Sequence, residues 1–346
     1  MRLLRSLSIA TLSLSFVMRV PAAFSESKTP SEWFESAASR MDIRSLGSTP
    51  FHMHVTFHAF AGLELLSGHE KSDFVAGDGV YDEIWFNPHK WRREVRLADY
   101  HTVEVESGGK RVMQTTSDYE PSRIYMLLDA LLTPIPSTLT SREFHDLPDW
   151  KGWKVHPVTA GGLSLVRLSK EMGTQRGDFT TSYYFFPGTE ALAMKNSFGL
   201  VTIWADDAVF ANKIAPRSLT IRCSDRDLLT ASISLDRAAP DDAEGFILPG
   251  PPAEPGMTLR PLHSYEIHVP DVGPSFGIGS SPSGYGPFFV ILGQVDRHGR
   301  YRELELLLAP SPTWAATIMD HFRGVQFKSP TIDGSPCQFQ KVWRVM

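Results

Sequence analysis

Cysteine is nearly absent: the 346-residue chain holds two, Cys223 and Cys337. Two thiols allow at most one bridge, and it would have to join the two halves of the chain. Otherwise such residues serve as small buried hydrophobes. The G-x-S-x-G match Gly273-Pro274-Ser275-Phe276-Gly277 lies in a stretch rich in proline, glycine and serine rather than at a strand-to-helix turn, so a hydrolase lacks its sequence anchor. Gly277-Ile278-Gly279 lies among prolines and serines rather than between a strand and a helix, which excludes a dinucleotide fingerprint. Positive charge is not in excess: 34 Lys and Arg stand against 39 Asp and Glu, a net −5, so nothing points to nucleic acid. No internal repeat or low-complexity run is present.

What is present begins with an export signature. Arg2 and Arg5 precede an apolar segment, Leu7 to Met18, and Ala23-Phe24-Ser25 forms a small-x-small cleavage site. The segment is only about a dozen residues long and is broken by serines, whereas a bilayer span needs about twenty. Removing residues 1–25 deletes Arg2, Arg5 and Arg19 and no acid, taking the net charge from −5 to −8. A periplasmic or secreted protein is therefore expected. An uncleaved anchor is the alternative reading, weakened by the length of the segment.

The rest is long enough for about two domains. Ser31 to Leu46 reads as an amphipathic helix capped by Ser31, with Trp33, Phe34, Ala37, Ala38 and Met41 along one stripe. From Phe51 the pattern becomes closely spaced strands. His52–Phe60, Gly68–Ala76, Val80–Phe86, Lys90–Leu97, Tyr100–Ser107 and Lys110–Thr116 are punctuated by Gly77-Asp78-Gly79, Asn87-Pro88 and Gly108-Gly109. Strands this close leave no room for crossover helices, so the sheet is antiparallel. Ile124, Leu127, Leu128, Leu131 and Leu132 recur at helical spacing between Pro121 and Pro134. Strands resume through Leu235. Residues 238–261 are rich in proline, glycine and acids and read as a linker. A possible strand at 262–269 follows, then a loose stretch to Pro287.

Few residues invite chemistry. His52, His54 and His58 share one strand face and could approach a metal, but no cysteine or acidic cluster completes a set. A solvated face is the plainer reading. Asp82 and Glu83 are adjacent on a strand and so point to opposite faces. Arg92, Arg93 and Arg96, alternating with Glu94, read as a charged outer face with Trp91 and Val95 partly inside. No catalytic residue, metal or organic cofactor is expected.

Two blocks resemble known families. The block Gly77 to Leu97, GDGVYDEIWFNPHKWRREVRL, within a helix, meander, inserted-helix layout, is similar to the LolA/LolB lipoprotein-carrier family and to the sensor domain of the sigma-E regulator. That resemblance implies a half-barrel holding acyl chains under a helical lid. It places lining and lid roles on Trp85, Trp91, Ile124, Leu127, Leu128, Leu131, Tyr183 and Phe185. The concavity could equally be filled by these same side chains. The C-terminal order resembles the TonB C-terminal domain: strand Gly286–Asp296, an Asp296-x-x-Gly299 turn, strand Tyr301–Leu308, a helix near Thr313–Gly324, Gln326-Phe327-Lys328, Pro330, Gly334, Pro336 and a last strand. The P-x-Y-P motif and the Pro-rich spacer of that family are missing. The resemblance implies partner binding by strand addition along Gln338, Phe339, Gln340, Val342 and Trp343.

The expected fold class is α+β: a curved antiparallel half-barrel with lid helices over 26–237, a linker over 238–285 and a TonB-like module over 286–346. The expected function is non-enzymatic envelope binding of a lipid or lipoprotein acyl chain, with an envelope protein as second partner. A purely structural interaction protein with a filled core is the first alternative, and a hydrolase using unrecognised polar residues is the second.

Overall fold

The structure, a computed structural model, describes residues 28–61, 75–135, 152–170, 181–197, 199–223, 226–239, 242, 246, 289–308, 319–320, 327, 331–332 and 335–345. The expected signal segment, nearly all of the linker and the strand at 262–269 lie outside them. So does most of the strand expected at 68–76.

Helix α1 spans Pro30–Met41. Its cap is Thr29 rather than Ser31: the Thr29 hydroxyl accepts from Glu32 N–H while the Glu32 carboxylate takes Thr29 N–H, and Pro30 fills the first turn. The helix stops at Met41, short of Leu46, because Asp42 leaves the helical conformation and its side chain accepts from Arg44 N–H at 2.8 Å.

The strands follow as β1 (Phe51–Ala59), β2 (Gly77–Asn87), β3 (Lys90–Leu97), β4 (Tyr100–Ser107) and β5 (Lys110–Thr115). Helix α2 (Ser122–Leu132) interrupts them. Then come β6 (Trp153–Ala160), β7 (Leu163–Lys170), β8 (Ser182–Phe185), β9 (Leu192–Ser197) and β10 (Leu200–Ala205). A hairpin absent from the sequence reading, β11 (Ala208–Phe210) and β12 (Lys213–Ala215), precedes β13 (Ser218–Cys223) and β14 (Arg226–Arg237).

Twelve of these strands form one open, curved, antiparallel sheet ordered β5-β4-β3-β2-β1-β14-β13-β10-β9-β8-β7-β6. Its two halves are joined through the pairing of β1 with β14, from Phe51↔Arg237 to Ala59↔Leu229. Period-two alternation sets its two faces. Phe51, Met53, Val55, Phe57 and Ala59 are buried, while His54, Thr56 and His58 are exposed. Both helices pack on the buried face. Phe34 meets Tyr183 and Phe185 edge-on at 4.8 and 5.5 Å, and Phe51 stacks on Trp85 at 5.5 Å.

The C-terminal strands are β15 (Phe289–Val295), β16 (Tyr301–Leu308), the short β17 (Thr331–Ile332) and β18 (Ser335–Pro336), and β19 (Phe339–Val345). They include a three-stranded antiparallel sheet ordered β16-β15-β19. Asp296 builds the β15–β16 turn, its Oδ1 accepting from His298 and Arg300 N–H at 2.8 and 3.0 Å. Of the expected C-terminal helix, Met319 and Asp320 are described, and both are helical. Leu292 and Leu307 of this sheet join the same hydrophobic core as α1, α2 and the large sheet. Both cysteines are buried.

A cavity at the end of the second helix

Helix α2 is held at both ends by side chains from elsewhere in the chain. Its N-cap, Pro121, offers no side-chain acceptor. The Glu303 carboxylate of β16 takes the role, accepting Ser122 N–H at 2.6 Å. An acid there also suits the positive end of the helix dipole. Gln294 of β15 donates to Glu120 C=O at 2.9 Å, Gln338 accepts Glu120 N–H at 2.7 Å, and Gln340 donates to Ser122 C=O at 3.2 Å. Arg123, in the first turn and 1% exposed, pairs with Glu305 of β16 at 2.8 Å. Burial holds the Glu303 carboxyl above its usual range, opposed by its bonds to Ser122 and by Arg123.

The far end is anchored differently. Trp204 Nε1 donates to Ala130 C=O at 3.2 Å, and Arg44 Nη1 donates to Leu131 C=O at 3.0 Å. Lys195 pairs with Asp129 at 3.4 Å. Arg44 is itself fixed by Glu83, which is fully buried; Arg44 Nε lies 3.1 Å from both carboxylate oxygens. Arg93 Nε donates to Glu83 at 2.9 Å, and the Tyr81 hydroxyl donates to Glu83 at 3.0 Å. Burial opposes ionisation of Glu83, but Arg44 and Arg93 outweigh it and bring the group down to about 2.

Here the sequence reading needs correction. Arg93 does not belong to an outer charged face with Arg92, Glu94 and Arg96. It shares the buried side with Trp91, Val95 and Leu97, as alternation along β3 requires. That period-two spacing was the signal available for it.

Between the anchored end of α2, the end of α1 and strands β1, β10, β12 and β14 lies a cavity of about 250 Å³. Its apolar wall includes Met41, Ile43, Met53, Leu131, Leu132, Ile135, Trp204 and Ile233; Asp42, Arg44 and Thr133 supply the polar part. An engineered apolar cavity of about 150 Å³ admits benzene, so this one is large enough for a small apolar group.

Of the eight lining and lid candidates, the cavity uses Leu131. Trp85, Trp91, Ile124, Leu127, Leu128, Tyr183 and Phe185 are buried in the continuous core, packed against one another and against α1. Ile43, Met53, Trp204 and Ile233 were not singled out, because only the β1–β14 and β10–β13 pairings bring them together. Of the expected partner edge, Phe339, Gln340, Val342 and Trp343 lie on β19, which pairs with β15 on one side, and Gln338 immediately precedes it. Gln338 and Gln340 turn inward to the start of α2.

The histidine stripe is on the solvent side. His54 and His58 bond Asp82 and Asp78 at 2.7 Å each. Among the described residues no group of His, Cys, Asp and Glu is arranged to hold a metal, and no helix is long and apolar enough to cross a membrane. Thr56, His58, Asp78 and Arg96 border a second, solvent-side groove of about 720 Å³.

No family model matches the chain, and no curated protein does. Among solved structures, it is similar to a LolA superfamily protein from Nitrosomonas europaea: 8% identity and a TM-score of 0.34, covering 62% of this chain and 97% of that one. It is also similar to a DUF1329 family protein from Desulfovibrio piger: 8% identity and a TM-score of 0.31, covering 60% and 92%. Likenesses this distant carry no ligand and no residue role across.

Proposed function

We propose that this is an exported, non-enzymatic envelope protein that binds an apolar ligand in the cavity between α1, α2 and the large sheet. The observation that carries the reading is the cavity of about 250 Å³, walled mainly by Ile43, Met53, Leu131, Trp204 and Ile233. Apolar walls with a few polar groups are the usual make-up of a small-molecule site. Export rests on the Arg2-to-Ser25 pattern. A protein partner would add to the free edge of β19, through its main chain rather than through Gln338 or Gln340.

Native mass spectrometry with solvent extraction, on protein purified from an envelope fraction, tests this. A co-purifying apolar compound of defined mass and a processed N-terminus are expected. A clean apo mass, together with failure to bind any apolar fluorescent probe, would overturn it. The second reading, a purely structural interaction protein, is favoured by one observation: seven of the eight nominated lining residues are already packed into the core.

A further inference from the structure

We infer that the cavity accepts one compact, uncharged apolar group, such as a single chain of about eight carbons or a bicyclic ring, and excludes a multi-acyl anchor. This rests on the reading that the cavity binds an apolar ligand, and it narrows the class.

Size sets the first limit. At roughly 30 Å³ for each water-sized unit, about 250 Å³ holds about eight methylene-sized units. A diacyl or triacyl anchor needs several times that.

Nor can the space grow cheaply. A larger guest would have to displace α2, and α2 is not a free lid. Ile124 and Leu127 are 0% exposed, so the face that would have to lift is fully packed. Its first turn is tied to the C-terminal sheet by Glu303, Gln294, Gln338 and Gln340. Its last turn is tied to the large sheet by Trp204 and Arg44. Releasing the helix would strand buried polar groups at both ends, an expensive outcome for each one.

Charge on the wall restricts the guest as well. Arg44 lines the cavity, but its guanidinium is committed to Glu83 and to the Leu131 carbonyl. Trp204 has its N–H committed to Ala130, so it presents ring rather than donor. The remaining ionic group on the wall is the Asp42 carboxylate, which repels an anionic head. An anionic head would therefore stay outside.

The test is displacement of the bicyclic fluorophore 1-naphthylamine from the full chain by 1-octanol, by naphthalene and by a tripalmitoylated lipopeptide. Octanol and naphthalene are expected to displace the probe, and the lipopeptide is not. Ile233→Trp, which fills the cavity, is expected to weaken octanol at least tenfold. Should that variant fail to fold, Leu131→Ala serves instead: the enlarged cavity is expected to shift preference from octanol to decanol by at least threefold. Combining Gln294→Ala with Gln340→Ala, which loosens the start of α2, is expected to admit the lipopeptide. Lipopeptide binding to the unaltered chain as tightly as octanol would overturn the size limit while leaving apolar binding intact. An unmoved preference in Leu131→Ala would place the guest elsewhere. No probe binding at all would overturn the functional reading along with it.

Discussion

Arg93 stands directly opposite Glu83 across the β2–β3 pair, and its Nε donates to the Glu83 carboxylate at 2.9 Å. Arg44 reaches the same carboxylate from the loop after α1 and then continues to the last turn of α2. One buried acid thus links the sheet, the α1 loop and the helix. Glu83→Gln would leave two buried guanidinium groups without their counter-charge. Removing one partner of such a cluster typically costs about 3–5 kcal/mol. Urea unfolding at neutral pH should show a loss in that range; a loss below about 1 kcal/mol would mean the cluster is solvated in solution.

The two buried acids should shape the pH profile in opposite senses. Glu83 is depressed from an ordinary 4.5 to about 2. Its stabilisation is therefore complete above 4.5 and is lost as pH falls toward 2. Glu303 is raised above 4.5, so its contribution is present below 4.5 and is lost as pH climbs through its higher folded value. Glu303→Gln keeps an acceptor for Ser122 N–H and removes the charge. Thermal melts from pH 3 to pH 8 should show the variant matching the parent at the acid end and gaining on it above 4.5. Parallel curves throughout would show that Glu303 ionises freely.

Trp91 was chosen from the sequence as a ligand contact, but it is a core residue. It lies opposite Trp85, with the Arg93 guanidinium 4.1 Å from its ring centroid. Trp91→Phe weakens that cation–π contact, worth about 0.5–2 kcal/mol. Stability should fall by about that amount, while apolar-probe affinity stays within twofold. A tenfold loss of affinity without unfolding would return Trp91 to the binding site.

Much of this architecture is legible in the chain. The alternation in His52–Phe60 and the turn residues at Asn87-Pro88 and Gly108-Gly109 mark strands and hairpins, because those signals are local. The 3.6-residue spacing of Ile124, Leu127, Leu128 and Leu131 marks α2 for the same reason. The joining of β1 to β14 is not legible, since it pairs segments about 180 residues apart with no turn to specify them. The cavity inherits that problem: Met53, Trp204 and Ile233 meet only once the distant pairing exists. The inward turn of Gln338 and Gln340 was hidden too, because glutamines on an edge strand ordinarily face water.

The β15–β16 turn offers a test that separates backbone strain from steric conflict. Gly299 has φ of 78°, and a Cβ there would sit 1.8 Å from the Phe327 carbonyl oxygen. Phe327 is held in place by its N–H bond to Gly299 C=O at 2.9 Å and by its edge-on contact with Tyr301 at 5.1 Å. Gly108 also has a positive φ, 61°, but a Cβ there meets nothing within 4 Å. Gly108→Ala should therefore lose only the conformational part, about 1–2 kcal/mol. Gly299→Ala adds an overpacking penalty of about 1–3 kcal/mol against backbone that cannot rotate away. Thermal denaturation of both variants should rank Gly299→Ala clearly below Gly108→Ala. Because Leu292 and Leu307 share the main core, the loss should be seen as a lower melting temperature for α2 and the large sheet as well. Equal losses in the two variants would mean that Phe327 does not pack over this turn.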